Sequence, residues 1–581
     1  MERKTLFAIL LIMAVLLADQ VLWSRWTKKK QPPAPADSIT ATTGGAPAGS
    51  LGAGAPGAAG TATGAPSAGA TGAGAGAAGT PAIPAIGSIA PPSSTPGLPG
   101  EQVYQARVRP APRETFALST DRFDARFSSD GGAITSWVLG HYRDPLRKEP
   151  VDLVPPGRSA MHVVVGLTGG VYDFTNATYA VLGESEAEGW VSYVAQDSVL
   201  GIRVTKTYRR AADPQILNVE IRVSAPPELG PLRYRMGWVN PLPLTEVNAK
   251  PVEQTAVAYL GAKLETMDPG HMAKEGSKEV EGNVRWAGER SKYFLAALIP
   301  DSATVSEVVF LPGPDKMPTV WLAGAAPPGT EVVRHARLYA GPIHYDALVA
   351  IGADLQEVAN LGWKWIVPVS ALLLKALVLI HGWLPNYGIA IIIVSLLTKL
   401  IFYPLTQSSL RTMKVMHRLQ PQVNAIREKY SEDPSKMNTA MMNLYKEHKV
   451  NPMGGCLPML LQLPVFLALY QVLLHAIELR AAGFVSYIQD LSAPDLLAQV
   501  GPVPVRLLPI LMTVSTFVLQ SQTPVDPRQK FMMYVMPLFM LFILYNLPSG
   551  VILYWTVNNL VSALQQYLVN VAEDRRVAAG A

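Results

Sequence analysis

The residues of this chain best placed to do chemistry are not paired acids and bases but one lysine inside an apolar run. Residues 388–406 read GIAIIIVSLLTKLIFYPLT, and Lys399 lies well inside that stretch. Ser395 stands four residues earlier on the same helical face, with Thr398 beside the lysine. A lysine at such depth in hydrocarbon is costly. It either faces protein or water and marks function, or snorkels its stem toward the headgroups. Other apolar runs bring polar groups that could line the same cavity. One carries Gln462, a second carries Thr513, Thr516 and Gln520, and a third carries Trp555, Asn558, Asn559 and Ser562. Hydrogen bonding between helices is the commoner use of such groups. Together they outline a partly hydrated groove around one positive charge, with Lys399, Ser395, Gln462, Thr516, Gln520, Trp555 and Asn558 as the candidate groove residues.

Elsewhere the residue types argue against catalysis. There is no phosphate loop, nucleophile elbow or metal-ligand spacing, and the histidines 141, 162, 271, 335 and 344 are scattered. The chain therefore reads as neither an enzyme nor a metal or cofactor protein. Its single cysteine, Cys456, excludes a disulfide scaffold. A net charge of +5 over 581 residues gives no concentrated basic surface, so no specific nucleic acid is expected as a partner. Only 16% of the residues are charged, against roughly 25% in soluble domains.

The elements that must position the lysine follow from changes in composition. Residues 1–24 form an apolar segment after Arg3 and Lys4, without a small-residue cleavage site. They read as a signal anchor, with a cleaved signal peptide as the alternative. Residues 25–113 read as a disordered Ala/Gly/Pro-rich tether, since 41–100 alone holds 16 Gly and 9 Pro and little apolar surface to bury. Residues 114–344 alternate apolar and polar, as in Phe123, Ala125 and Phe127, or Ile202, Val204, Lys206 and Tyr208. This predicts a large all-β sandwich. Residues 345–386 read as amphipathic, first over 346–360 and then over 363–384, where Lys364 and Lys375 share a face. An interfacial helix is favoured there over a spanning one. Five spans are then expected within 387–570, at 388–406, 457–475, 507–520, 531–547 and 551–569, making six with the anchor. The fold class is an α-helical polytopic membrane protein carrying a large all-β domain.

Orientation follows from the basic residues. The loop 407–456 holds eight Lys/Arg against four Asp/Glu, 521–530 holds Arg528 and Lys530 and the tail 571–581 holds Arg575 and Arg576, whereas 476–506 holds only Arg480 and Arg506. By the positive-inside rule the basic loops and both termini are cytoplasmic and the β domain faces outward. Arg25 and the lysines 28–30 run against this assignment, and they would obey the rule if 363–384 spanned the membrane. The segment 407–450 has helical periodicity broken at Ser431-Glu432-Asp433-Pro434 and reads as an αα-hairpin. Met413, Met416, Arg418, Arg427, Met441 and Lys446 are its candidate docking residues, offering an adaptable apolar face with basic neighbours. Packing against the bundle is the alternative use of that face.

At 451–458 the sequence reads NPMGGCLP and runs on into LLQLPVFLALY; FYPLT lies at 402–406, LPSGVILYW at 547–555 and NNL at 558–560. Over about 345–570 these motifs, in this order, resemble the YidC-type membrane protein insertases, and the anchor, tether and β domain before them resemble the Gram-negative form. The resemblance implies a five-helix core with a hydrophilic groove open to the cytoplasm and to lipid, in the bacterial inner membrane, and a periplasmic domain similar to sugar-epimerase sandwiches. Lys399 takes the place of the family's usual arginine, which keeps the charge and loses the bidentate fork. Trp555 falls at an aromatic groove position and Ser395 at a small hydroxyl position. The implied partners are nascent membrane proteins, the ribosome, the Sec translocon, the signal-recognition machinery and the lipid bilayer. No nucleotide site is required, because burial of an apolar span drives insertion. The alternatives are a small-anion transporter using Lys399 and an envelope sensor anchored by the bundle.

Overall fold

A computed structural model of the chain describes residues 97–578, apart from 146, 247–248, 302–304, 449–456 and 523–529. The expected anchor 1–24, the tether as far as 96 and the motif residues 451–456 lie outside the described residues.

Alternation builds the β domain. In the strand Arg203–Arg210, Val204, Lys206 and Tyr208 point inward while Arg203, Arg209 and Arg210 face solvent. It pairs antiparallel with Trp190–Gln196 on one side and Ile216–Ser224 on the other. These lie in a nine-stranded sheet that runs from Lys263–Met267 at one edge to Ala180–Ser185 at the other; a seven-stranded and a four-stranded sheet complete the domain. The large core they share includes Trp137 and Trp238. Trp137 stacks on Phe123 at 3.9 Å and donates its indole N–H to the Ala340 carbonyl at 2.8 Å, so the buried ring leaves no unpaired donor.

The tether ends sooner than 113. Val103–Gln105 adds in parallel to Gly170–Asp173, and Arg235 donates to Glu101 at 2.5 Å. A strand of three residues is too short to register as alternation, which is why the sequence reads as linker there. A second difference concerns 346–360. The helix Tyr345–Ile351 stops at Gly352 (φ 83°), Ala353 and Asp354 are also left-handed, and a 3-10 turn follows at Leu355–Val358. The amphipathic stripe is real, but glycine at the helix end redirects the chain.

The helical part comprises α1 (Val367–Trp383), α2 (Tyr387–Ile401), α3 (Tyr403–Arg418), α4 (Gln420–Lys429), α5 (Pro434–Glu447), α6 (Leu457–His475), α7 (Leu507–Ser521), α8 (Lys530–Leu544) and α9 (Ser549–Ala578). Asn386 caps α2, accepting from the Ile389 N–H at 3.1 Å. The run expected to continue to 406 breaks at Phe402, and the chain turns by 62° into the next helix. Pro404 explains the break, since it has no N–H to continue the ladder and its ring crowds the preceding turn. The hairpin is likewise three helices rather than two. Asp433 caps α5 by accepting from Lys436 N–H at 3.0 Å, and Pro421 starts α4 after a kink at Leu419. Among the described residues no single helix is long and apolar enough to cross a membrane, and the bent pair α2–α3 passes that test jointly.

The two parts meet at the segment after α6. Ile477 joins the core of the β domain. Arg480 donates to Glu246 at 2.7 Å and stands 5.4 Å over the Phe294 ring. Asn386 donates to the Phe484 carbonyl at 2.9 Å.

Lys206 is the polar pin of the β core. Its ammonium donates to the Gly131 and Met161 carbonyls, each at 2.7 Å, and lies 5.0 Å from the Tyr179 ring centre. Burial pushes it down to about 7, whereas an unfolded lysine stays protonated to about 10.4. Across that window the unfolded chain binds more protons, so the stability of the β domain rises with pH. Lys206→Met removes this slope. Melting followed by tryptophan fluorescence at about pH 7 and about pH 9.5 should show a smaller pH gain in the variant than in the parent chain.

Candidate functional site

Two helices, α6 and α9, bring polar groups to Lys399. Lys399 sits near the end of α2, is 8% exposed, and donates to Ser562 Oγ at 2.8 Å and to Gln462 Oε1 at 3.5 Å. Ser562 passes its own proton to the Asn558 carbonyl at 2.7 Å, which leaves its oxygen lone pairs free to accept from the ammonium. Gln462 donates in turn to Asn558 Oδ1 at 3.4 Å. Both bonded paths from Lys399 thus end on Asn558, one at its main-chain carbonyl and one at its side chain, every bond running away from the positive charge. Among the described residues, no ion pair includes Lys399.

Helical spacing explains the arrangement. Asn558 and Ser562 are one turn apart on α9, and Trp555 is a turn earlier on the same face. The half-buried Trp555 meets Phe466 of α6 edge-on, with ring centres 5.3 Å apart, one turn along from Gln462. On the two helices that carry Lys399 and Gln462 the surface is apolar: Leu396, Leu400 and Ile401 on α2 and Leu461 and Leu463 on α6 are exposed, as are Phe539, Phe542 and Ile543 on α8. Such a large exposed apolar area is the signature of a surface that meets lipid or another apolar partner.

The structure separates the candidates. Lys399, Gln462 and Asn558 come together, and Trp555 flanks them. Ser395 is fully buried and returns its hydroxyl to the Ile391 carbonyl at 2.7 Å. Thr516 faces the other side of α9, accepting from Asn559 Nδ2 at 2.8 Å, with Ser515 at 3.2 Å from the same amide. Gln520 is not joined to Lys399, and its Oε1 is buried without a partner among the described residues. Ser562 is the contact that sequence reading left out of the candidate groove; its i+4 relation to Asn558 and i+7 relation to Trp555 was the available signal. On the hairpin, Arg418 and Lys446 are exposed while Met416, Arg427 and Met441 are half-buried; the Met413 side chain lies outside the described residues.

Two family profiles match the chain: "60Kd inner membrane protein" over residues 379–576 and "YidC periplasmic domain" over 115–369. The chain is thus an inner-membrane protein with a periplasmic β domain. It belongs to the YidC family of membrane protein insertases. The Membrane protein insertase YidC of Syntrophus aciditrophicus is 34% identical over 474 residues, covering 79% of this chain and 85% of that protein. Those of Pelobacter propionicus and Geobacter sulfurreducens are each 34% identical, covering 79% and 78% of this chain and 87% and 85% of the relatives. The comparisons favour neither the small-anion transporter nor the sensor.

Because Asn559 joins α7 to α9 rather than lining the Lys399 cluster, its loss should cost packing and not chemistry. Asn559→Ala should lower the resistance of the bundle to denaturing detergent by about 0.5–1 kcal/mol, measured by helicity during detergent titration. Insertion activity of the folded fraction should stay unchanged.

Proposed function

We propose that this insertase admits the polar, outward-bound segment of a nascent membrane protein into a hydrated groove at Lys399. One observation carries the reading: a buried ammonium held by neutral acceptors, Ser562 and Gln462, with exposed apolar helix faces beside it. An ammonium has three donors, so an incoming acidic or polar group can be taken on without breaking an existing ion pair. Attraction through a point charge suits substrates of varied sequence better than a bidentate fork would.

In this reading the apolar helices of 387–570 form a five-helix core, and 1–24 adds a sixth span. A 15-residue helix such as α2 rises about 22 Å, against about 30 Å of hydrocarbon, so flanking residues and local adjustment of the bilayer must complete the crossing. The basic segment 407–450 and both termini lie in the cytoplasm. The hairpin meets the substrate first, with Met416, Met441 and Met413 as its apolar contacts and Arg418, Arg427 and Lys446 as its charges. The ribosome, the Sec translocon and the signal-recognition machinery are the proposed partners on that route. The apolar part of the substrate then leaves along α6 and α9 into lipid. Partition of roughly 20 apolar residues supplies the free energy.

Charge at residue 399 is the decisive test. Lys399→Arg should support insertion of a small acidic-tailed substrate at close to the parent rate in cells depleted of their own insertase. Lys399→Glu should reduce it at least about tenfold, the effect of placing a like charge in a low-dielectric site. Protease protection of the substrate's outward tail reads the outcome. Equal insertion by the two variants would remove the groove mechanism.

A further inference from the structure

One concave site outside the bundle lies on the β domain. A cavity of about 270 Å³ opens between the strand Ala133–Arg143, the end of the strand Val332–Pro342 and the short helix Tyr345–Ile351. Its ionisable lining is of one kind. Arg122, His141 and His344 are basic, Tyr142 offers a hydroxyl, Tyr339 offers ring surface while its hydroxyl donates to the Pro342 carbonyl, Gln215 adds an amide, and no Asp or Glu is among the lining residues.

Two of the three basic groups, Arg122 and His141, have no acid partner among the described residues, whereas His344 is paired with Glu478. Among the described residues no ion pair includes Arg122, which is exposed at the rim. His141 faces the Asp121 carbonyl at 3.2 Å through Nε2. His344 Nε2 is paired with Glu478 at 3.5 Å, outside the lining, and among the described residues its Nδ1 has no hydrogen-bond partner. A concave lining of one sign between low-dielectric walls concentrates anions.

The place of the cavity narrows the anion. Tyr142 meets Phe294 edge-on at 5.8 Å, and Phe294 is the ring under Arg480 in the segment that follows α6. Asp346, just beyond His344, pairs with Lys375 of α1 at 3.5 Å. The cavity therefore stands where the β domain meets the outer ends of the helices. We infer that this cavity binds a phosphate ester, with Arg122 and His141 taking the phosphate and the Tyr142 and Tyr339 rings covering the attached glycerol. A phospholipid headgroup of the outer leaflet and a free phosphate ester share that chemistry. The lipid source rests on the reading that the β domain stands on the outer membrane surface; the site itself does not.

The test uses the full chain in nanodiscs of phosphatidylcholine with and without phosphatidylglycerol, and in phosphate-free detergent with glycerol phosphate as the soluble probe. Native mass spectrometry counts retained phospholipid, and phosphorus NMR line broadening follows the soluble ester. Arg122→Glu should weaken binding at least about tenfold, the worth of one charge-assisted contact. Arg126→Ala, an exposed arginine on the neighbouring strand Asp124–Ser128, should leave it unchanged. Retention of phosphatidylglycerol that Arg122→Glu abolishes supports the lipid source. Broadening of glycerol phosphate without lipid retention supports the site with a soluble ligand, and places the failure in the membrane reading alone. Equal behaviour of the parent chain, Arg122→Glu and Arg126→Ala in both arms overturns the proposal.

Discussion

An ammonium group inside an apolar bundle must find acceptors, and much of the helical part is arranged around that requirement. An unpaired charge in such surroundings costs several kcal/mol. Here the cost is met by neutral oxygens, Ser562 and Gln462, each held in turn by Asn558. The arrangement needs α2, α6 and α9 to converge, and hence needs their opposite faces to pack. Asn559 and Thr516 tie α9 to α7, while Ser370 of α1 donates toward the Ala468 carbonyl of α6 at 3.4 Å. A carboxylate partner would have satisfied the lysine more strongly, and would have left less for a substrate to gain by entering.

The ends of the helices that meet the β domain are closed by a different chemistry. Arg480 and Arg506 are the two basic residues of 476–506, and both are buried. Arg480 is neutralised by Glu246, and Arg506 donates to the Tyr545 carbonyl at 2.6 Å and lies over the Tyr545 ring at 5.1 Å. Asp495 accepts from the N–H groups of Leu507 and Leu508 at the start of α7, using the positive end of that helix. Positive charge on this side is therefore structural, whereas Arg418 and Lys446 on the hairpin remain exposed.

Parts of this architecture were legible from local pattern. Alternation marked the inner faces of the β strands because one face of a half-buried strand must be apolar. It even placed Lys206 on the buried face, although pattern alone says nothing of the two carbonyls that receive it. Boundaries were harder. Pro404 and Gly352 break runs whose apolar periodicity continues through them, since periodicity reports burial and not backbone continuity. The strand Val103–Gln105 exists only because a distant edge, Gly170–Asp173, is there to pair with it.

The same division applies to the site. By itself the sequence determined that one charge lies deep in an apolar run, that polar residues recur on other runs, and that the motifs belong to one family, because depth, periodicity and order along the chain are one-dimensional properties. Tertiary structure decided which polar residues reach the charge. Gln462, Asn558 and Ser562 do, while Ser395 returns to its own helix and Thr516 serves a neighbour. Rotation of each helix about its axis settles that choice, and the rotation is set by what packs on the far side, such as the Gly388 backbone against the Phe484 ring. No spacing along the chain encodes it.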